Sequence, residues 1–163
     1  MGAVARGDER ALGSLIERYA ARIHAHLCRM TGDRDDADDL LQETWVRVAR
    51  GARGFDPTRR VRPWLYRIAS HLATDLHRRR QVRARAALVP PVAQAPPREV
   101  EGIDLRERLA QLPHRLREVV LLRYYGDLGE AEMAEALGVP RGTVKSRLHD
   151  ALRALKRGLG DAE

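Results

Sequence analysis

The chain has 163 residues, of which 44% are hydrophobic and 33% are charged, and its formal net charge is +7. This composition excludes wholesale disorder, and the length allows one domain or two small ones, since a compact domain takes about 100 residues or a little more. The excess of positive charge favours a polyanionic partner, nucleic acid first and an anionic membrane second.

Helical spacing of apolar residues predicts two helices at the start of the chain, and no strand-like alternation is evident. The first helix ends at Gly32 and has an apolar face of Leu12, Leu15, Ile16, Tyr19, Ile23 and Leu27. Asp33 or Asp35 can cap the second helix, because a short carboxylate accepts bonds from free N–H groups at a helix start. Its apolar stripe holds Ala37, Leu40, Leu41, Thr44, Trp45 and Val48.

A loop and a long third helix complete the first half of the chain. The loop covers residues 55–60, and the helix runs from about Arg62 past Arg80. Residues 88–100 then hold four prolines and no apolar stripe, which is typical of an extended, semi-rigid linker. We therefore predict an all-α protein of two small helical domains, with boundaries at 1–87, 88–101 (the linker) and 102–163.

Four helices are predicted after the linker, and the last two form a helix-turn-helix. They flank the tripeptide Gly138-Val139-Pro140. Gly138 supplies the positive φ that a tight turn requires, and the small Ala134 lets the two helices approach closely. Val144 is expected to hold the second helix against the first.

The last predicted helix, from Arg141 to about Leu159, has a basic surface. Residues 141–157 hold six basic residues and one acid. The N-terminal end of the second helix in such a motif enters the major groove, so these features predict duplex DNA binding. The alternative is a two-helix turn with a solvated basic face.

Arginines dominate the third helix and the end of the loop before it. Residues 59–85 hold nine arginines and one acid. Guanidinium groups neutralise phosphates, and the nearby aromatic rings of Phe55, Trp64 and Tyr66 can accept unstacked bases. For Trp64 the alternative is a core position, since large aromatic residues are usually buried.

Acidic residues crowd the start of the second helix. Residues 33–43 hold six acids, which is more than capping and the helix dipole require. The segment lacks the glycine and the alternating oxygen ligands of a calcium-binding loop. It is therefore interpreted as a docking face for a basic protein surface.

No enzyme or metal signature accompanies these surfaces. His24 and Cys28 lie four residues apart, but two ligands are too few for a metal site. The sequence shows no glycine-rich phosphate loop and no nucleophile–base pair, so we expect no enzyme, no cofactor and no small-molecule substrate. The single cysteine and the absence of an apolar run near the roughly 18 residues that span a bilayer predict a cytoplasmic protein without direct membrane insertion.

Four motifs in this order resemble the extracytoplasmic-function sigma factors, over about residues 9–159. Residues 32–44, GDRDDADDLLQET, resemble the polymerase-binding stretch of region 2, and residues 62–69, RPWLYRIA, resemble its −10 recognition helix. The LP at 112–113, with REVVLLRY at 117–124, resembles the start of region 4. Residues 137–148, LGVPRGTVKSRL, resemble its −35 recognition motif.

The resemblance implies three sets of binding residues. Core polymerase is expected to bind Asp36, Asp39, Leu40, Gln42 and Glu43. The −10 promoter element is expected to contact Phe55, Asp56, Arg59, Arg60, Arg62, Arg67, His71, Arg78 and Arg79. The −35 element is expected to contact Arg141, Gly142, Thr143, Lys145, Ser146, Arg147 and His149.

The resemblance also implies the partners: core RNA polymerase, promoter DNA and an anti-sigma factor. The first domain would bind the polymerase clamp and open the −10 element, while the second would read the −35 element as duplex. Two residues depart from the family pattern. His71 replaces the usual asparagine, and Pro140 replaces a serine that often caps the recognition helix.

Two other hypotheses remain open. A free-standing regulator would use the helix-turn-helix alone, but the acidic cluster and the arginine-rich helix would then have no role. A decoy that only binds an anti-sigma factor would need no DNA contacts, against which the set from Thr143 to Arg147 argues. A test of association with core polymerase distinguishes the free-standing regulator from a sigma factor, because only a sigma factor binds core polymerase.

Overall fold

The computed structural model describes residues 1–86 and 105–160, with side chains placed as far as residue 157. These two ranges contain helices and loops and no strand, which confirms the predicted all-α class. The helices are α1 (Gly2–Ala5), α2 (Glu9–Thr31), α3 (Arg34–Gly51), α4 (Val61–Ala86), α5 (Leu105–Gln111), α6 (His114–Tyr124), α7 (Glu130–Leu137) and α8 (Arg141–Gly160). None of these helices combines the length and the apolar character that crossing a membrane requires. The predicted linker at 88–101 lies outside the described residues.

The junction between α2 and α3 has the two caps that the sequence predicts. Gly32 has a φ of 74°, and its N–H donates to the Cys28 carbonyl at 2.9 Å. The Asp33 carboxylate then accepts a hydrogen bond from the Asp36 N–H at 3.0 Å, so Asp33 rather than Asp35 is the N-cap of α3. A turn this short makes α2 and α3 neighbours in the fold.

Helices α2, α3 and α4 bury a common apolar core. Ile23 and Leu27 of α2, Val48 of α3, and Leu65 and Ala69 of α4 are all fully buried. Burial of a large apolar side chain contributes about 1.5–3 kcal/mol, so this core accounts for much of the stability of the first half.

Helices α6, α7 and α8 form the second core. It contains the fully buried side chains of Val119, Leu121, Leu122, Leu128, Met133, Ala136, Val144 and Ala151. Val144 lies three residues into α8 and is 0% exposed, which confirms the prediction that it holds this helix against its neighbours.

The two halves of the chain pack against each other. Helix α4 lies across α7 and also contacts α6, and one continuous apolar cluster contains residues of both halves. Tyr66 of α4 is 1% exposed, and a Cβ at Gly126 would lie 3.2 Å from its Cζ atom. The sequence patterns did not predict this contact.

A group of buried polar side chains lies at the boundary between the two halves. His26 of α2 and Ser70 of α4 are both 1% exposed, and their Nε2 and Oγ atoms are 3.2 Å apart. The buried Glu118 carboxyl of α6 lies close enough to Ser70 for this side chain to lower its pKa slightly against the effect of burial. Burial raises the pKa of Glu118 to about 7 and lowers the pKa of His26 to about 3, because each charged form loses its hydration.

We expect Gly126→Ala to destabilise the protein by about 1–3 kcal/mol, as overpacking of a dense core usually does. The added Cβ would lie 2.8 Å from the Leu122 carbonyl oxygen and 2.9 Å from a Leu128 methyl carbon. Urea unfolding followed by circular dichroism measures the change. Gly13→Ala is the matched control, because nothing lies within 4 Å of its Cβ position and alanine favours a helix interior. Equal stability of the two variants would contradict the close approach at Gly126.

Candidate nucleic-acid and protein-binding surfaces

The acidic start of α3 divides into carboxylates with local partners and carboxylates that face solvent. Asp36 is ion-paired with Arg80 of α4. The Asp38 carboxylate lies 2.7 Å from His24 Nε2. Asp39 is exposed, as expected for a residue off the apolar stripe.

The remaining residues predicted to bind polymerase lie further along α3. Gln42 is exposed, while Leu40 and Glu43 are half-buried. The Arg47 Nε–H donates to Glu43 at 2.8 Å, one helical turn away. The surface of α3 that contains Asp39 and Gln42 is therefore polar and open to a protein partner.

The loop before α4 is ordered by a local turn and an aromatic contact. The Asp56 carboxylate accepts hydrogen bonds from the Thr58 hydroxyl at 2.7 Å and the Thr58 N–H at 2.9 Å. These bonds lower the pKa of Asp56. Phe55 meets the half-buried Trp64 edge to face, with ring centroids 4.9 Å apart. The loop is thereby fixed against the first turn of α4.

Helix α4 separates its arginines into two groups. Arg78 and Arg79 are exposed near its C-terminal end, and the Arg78 guanidinium lies 3.7 Å from Asp75 on the same helix. His71 is exposed between the two groups. At the other end, Arg67 lines a cleft that opens towards the turn between α7 and α8.

The arginines at the end of the loop and in the first turn of α4 face carboxylates of the second half. Arg62 Nη2 lies 2.9 Å from Glu132 Oε2, and Arg60 Nη1 lies 3.2 Å from Glu132 Oε1. Arg59 Nε lies 3.5 Å from Glu135 Oε1. Three of the residues predicted to contact the −10 element are therefore ion-paired with carboxylates of the second half.

The helix-turn-helix geometry is present at α7 and α8. Gly138 has a φ of 64°, as the sequence predicts for this turn, and its N–H donates to the Ala134 carbonyl. The Pro140 carbonyl accepts the N–H groups of Thr143 at 3.0 Å and Val144 at 3.2 Å. Backbone bonds therefore close the first turn of α8 although Pro140 has no side-chain acceptor.

The N-terminal end of α8 presents its cations to solvent. Arg141 and Lys145 are exposed, and their side-chain nitrogens lie 3.9 Å and 3.6 Å from the Glu130 carboxylate. Of the other residues predicted to contact the −35 element, Gly142, Ser146 and His149 are exposed, and Thr143 and Arg147 are half-buried. A positively charged helix end of this kind can enter a DNA groove.

Sequence reasoning missed the acids that face the arginines of α4. Glu132 is buried, and besides its ion pairs it accepts a hydrogen bond from the Gly129 N–H at 3.0 Å. The exposed Asp127 carboxylate also lies 3.9 Å from Arg62. The only local signal was the position of Glu132 in the first turn of α7, which predicts capping and not a partner some seventy residues away.

Two family matches cover most of the chain. Residues 15–83 match sigma-70 region 2, and residues 103–155 match sigma-70 region 4. The extracytoplasmic-function RNA polymerase sigma factor SigW of Bacillus subtilis is 29% identical over 97% of this chain and 94% of its own length. Another extracytoplasmic-function RNA polymerase sigma factor, SigL of Mycobacterium tuberculosis, is 32% identical over 93% of this chain and 90% of its own length.

A solved structure of CnrH in complex with the cytosolic domain of CnrY has a similar fold. Its TM-score is 0.75 at 29% sequence identity, and the match covers 99% of this chain and 96% of CnrH. Both family matches and the full-length relatives agree with the acidic helix, the arginine-rich helix and the helix-turn-helix described above. The chain belongs to the extracytoplasmic-function sigma factors of the sigma-70 family.

Proposed function

We propose that this chain binds core RNA polymerase and directs it to promoters, where it opens the −10 element and starts transcription. The observation that carries this proposal is the exposed basic end of α8 in a helix-turn-helix. The acidic face of α3 and the arginines of α4 lie in the other half of the same chain. A regulator that acts without polymerase would use neither.

We assign the surfaces as the motifs imply. Residues 1–87 bind polymerase through α3 and the −10 element through the loop and α4, and residues 102–163 read the −35 element through α8. The contact of Phe55 with Trp64 supports a pocket for an unstacked base beside the start of α4. The exposure of Arg141 and Lys145 supports groove binding by α8.

We further propose control by a protein of the anti-sigma type. The relevant support is CnrH, whose solved structure contains the cytosolic domain of CnrY as a partner. Such an inhibitor would bind the surfaces that polymerase and DNA use. Purification of this chain from its own cells, without induction, tests the proposal: a one-to-one complex lacking polymerase supports it, and recovery only as free protein or holoenzyme contradicts it.

Run-off transcription is the direct test of the proposed function. Core polymerase is incubated with a promoter library, with and without the purified chain. We expect transcripts from a subset of promoters only when the chain is present. If the chain binds DNA but neither associates with core polymerase nor changes its transcripts, it is a free-standing regulator.

Charge reversal on α3 should separate polymerase binding from folding. We expect Asp39→Arg combined with Gln42→Ala to weaken association with core polymerase by about tenfold or more, because both residues are exposed on the acidic face. Glu17→Arg, an exposed reversal on α2, is the matched control. Affinity is measured by titration of fluorescently labelled chain with core polymerase. Equal affinities of the α3 variant, the control and the unmodified chain would contradict the assignment.

A further inference from the structure

A cavity of about 840 Å³ lies where the C-terminal end of α2 meets α5 and the C-terminal end of α6. Its volume is in the range of sites that bind small organic molecules. The charged residues that line it are Arg29, Arg106, Arg117 and Glu107, and none of them is assigned above to polymerase or DNA. Three positive charges against one negative charge favour an anionic ligand.

Arg117 brings a guanidinium group to this cavity without an anionic partner. It donates to the carbonyl oxygens of Met30 at 3.4 Å and Leu112 at 3.3 Å, and also to that of Ala110, all of which are neutral acceptors. Its Nε–H is buried without a partner, and no carboxylate of the described residues lies within 4 Å of the group. Burial lowers the pKa of Arg117, because the charged form loses its hydration. A bound anion would compensate this charge.

Arg29 and Tyr125 add a second cation and an aromatic ring to the same cavity. The Arg29 guanidinium donates to the Ala25 carbonyl at 2.9 Å and lies 4.1 Å from the centre of the Tyr125 ring. Within the described part of the chain it also has no carboxylate within 4 Å. Tyr125 is 41% exposed, so its ring is open to stacking, and every nucleobase has a face that stacks on an aromatic side chain.

Helix α5 provides the remaining charged residues of the cavity. Arg106 is exposed there, and Glu107 is half-buried. Three different helices, α2, α5 and α6, therefore each direct one arginine to the same cavity. Guanidinium groups bind phosphate oxygens through two parallel hydrogen bonds, so the phosphates of a small ligand suit this arrangement better than a single carboxylate does. The Glu107 carboxylate cancels only one of the three charges.

We propose that this cavity binds a phosphorylated nucleotide, with its phosphates on Arg29, Arg106 and Arg117 and its base against Tyr125. The ligand contacts both halves of the chain, because Arg29 belongs to the first half and the other three residues belong to the second. Its binding therefore stabilises the folded chain in proportion to its occupancy. The proposal does not depend on the sigma-factor function, since it uses none of the residues assigned to polymerase or to promoter DNA.

Cys28 gives a direct measure of occupancy, because it is the single cysteine of the chain and it lines the cavity. The thiol is half-buried, and the neutral reagent iodoacetamide is small enough to probe it. The unmodified chain is alkylated with and without millimolar ADP or GDP at constant ionic strength, and mass spectrometry follows the labelled fraction. We expect at least one nucleotide to slow alkylation by about fivefold or more, as for a site that is mostly occupied. An unchanged rate with both nucleotides overturns the proposal.

Two partial ligands separate the role of the phosphates from that of the base. Inorganic pyrophosphate lacks the base, and the unphosphorylated nucleoside lacks the phosphates. Each should protect Cys28 less than the nucleotide does at the same concentration. Equal protection by pyrophosphate overturns the nucleotide assignment, because the base would then add nothing at Tyr125. Equal protection by the nucleoside also overturns it, because the three arginines would then have no role.

Arg29→Met combined with Arg106→Met removes two charges from the cavity and leaves the carbonyl contacts of Arg117 in place. We expect this variant to bind the protecting nucleotide about tenfold more weakly or worse in isothermal titration calorimetry, since two charge-assisted contacts are lost. Arg10→Met combined with Arg115→Met, at exposed positions of α2 and α6 outside the cavity, is the charge-matched control and should bind like the unmodified chain. Equal losses in both variants would reflect only the net charge and overturn the site. If the first variant unfolds, the exposed single change Arg106→Met tests the same expectation.

Discussion

Replacing Arg141 and Lys145 together with alanine is expected to reduce transcription from a −35-dependent promoter by about thirtyfold or more. Both side chains are exposed at the N-terminal end of α8, and neither contributes to the core below it. A lost base contact costs about 1–3 kcal/mol, so two such contacts correspond to at least about 2 kcal/mol. Run-off transcription with core polymerase, normalised to polymerase binding, measures the loss.

The same helix provides the control for this prediction. Arg153→Ala combined with Lys156→Ala removes the same charge from exposed positions nearer the C-terminal end of α8. This variant should lose little activity, because the C-terminal part of a recognition helix points away from the groove. Similar losses of transcription in both variants would show that only the net charge of α8 matters. Normal transcription by the variant at Arg141 and Lys145 would place the recognition surface elsewhere.

The salt dependence of binding distinguishes the two kinds of contact that Arg141 and Lys145 can make. A phosphate contact that is lost weakens binding to all sequences and reduces the slope of log affinity against log salt by about one. A base contact that is lost relaxes the preference at one position and leaves that slope unchanged. Each single alanine variant therefore reports the role of its residue.

The features that sequence predicted correctly depend on neighbouring residues. Gly32, Asp33 and Gly138 act within one turn of chain, and the burial of Val144 follows from apolar spacing along one helix. Helix caps and apolar stripes depend on residues a few positions apart, so they can be predicted from a single sequence. The proposed domain limits at 1–87 and 102–163 rest on the proline-rich composition between them and stay predictions.

The features that sequence missed depend on pairs distant along the chain. Arg62 and Glu132 are 70 residues apart, and Glu118 of the second half is buried beside Ser70, which pairs with His26 in the first half. A linker sequence gives no information about whether the domains that it joins pack together. Glu118 lies in an apolar stretch of α6, where its neighbours Val119 and Val120 are also buried, and an isolated acid in such a stretch is usually exposed.

The raised pKa of Glu118 makes the stability of the closed arrangement depend on pH. Its folded pKa is about 7 against an ordinary value of 4.5, so the folded chain binds a proton between these values that the unfolded chain releases. The stability from this group is therefore complete below about pH 4.5 and declines as pH rises through 7. His26 and His114 act in the opposite sense: burial lowers their pKa values to about 3 and about 4, so their contribution is present above 6.5 and declines as pH falls.

Comparison of the unmodified chain with Glu118→Gln isolates the carboxyl, because the two histidines are the same in both proteins. Glutamine keeps the size and the polarity of the side chain but cannot ionise. We expect the free energy of unfolding of the variant, relative to the unmodified chain, to rise by on the order of 2–3 kcal/mol between pH 5 and pH 8, since each pKa unit corresponds to about 1.4 kcal/mol. Urea unfolding of both proteins at pH 5 and at pH 8 gives the difference in the free energy of unfolding at each pH. Glu17→Gln, exposed on α2, should shift both values equally. If Glu118→Gln gives the same difference at pH 5 and pH 8, the carboxyl is hydrated in solution and the two halves do not stay closed over it.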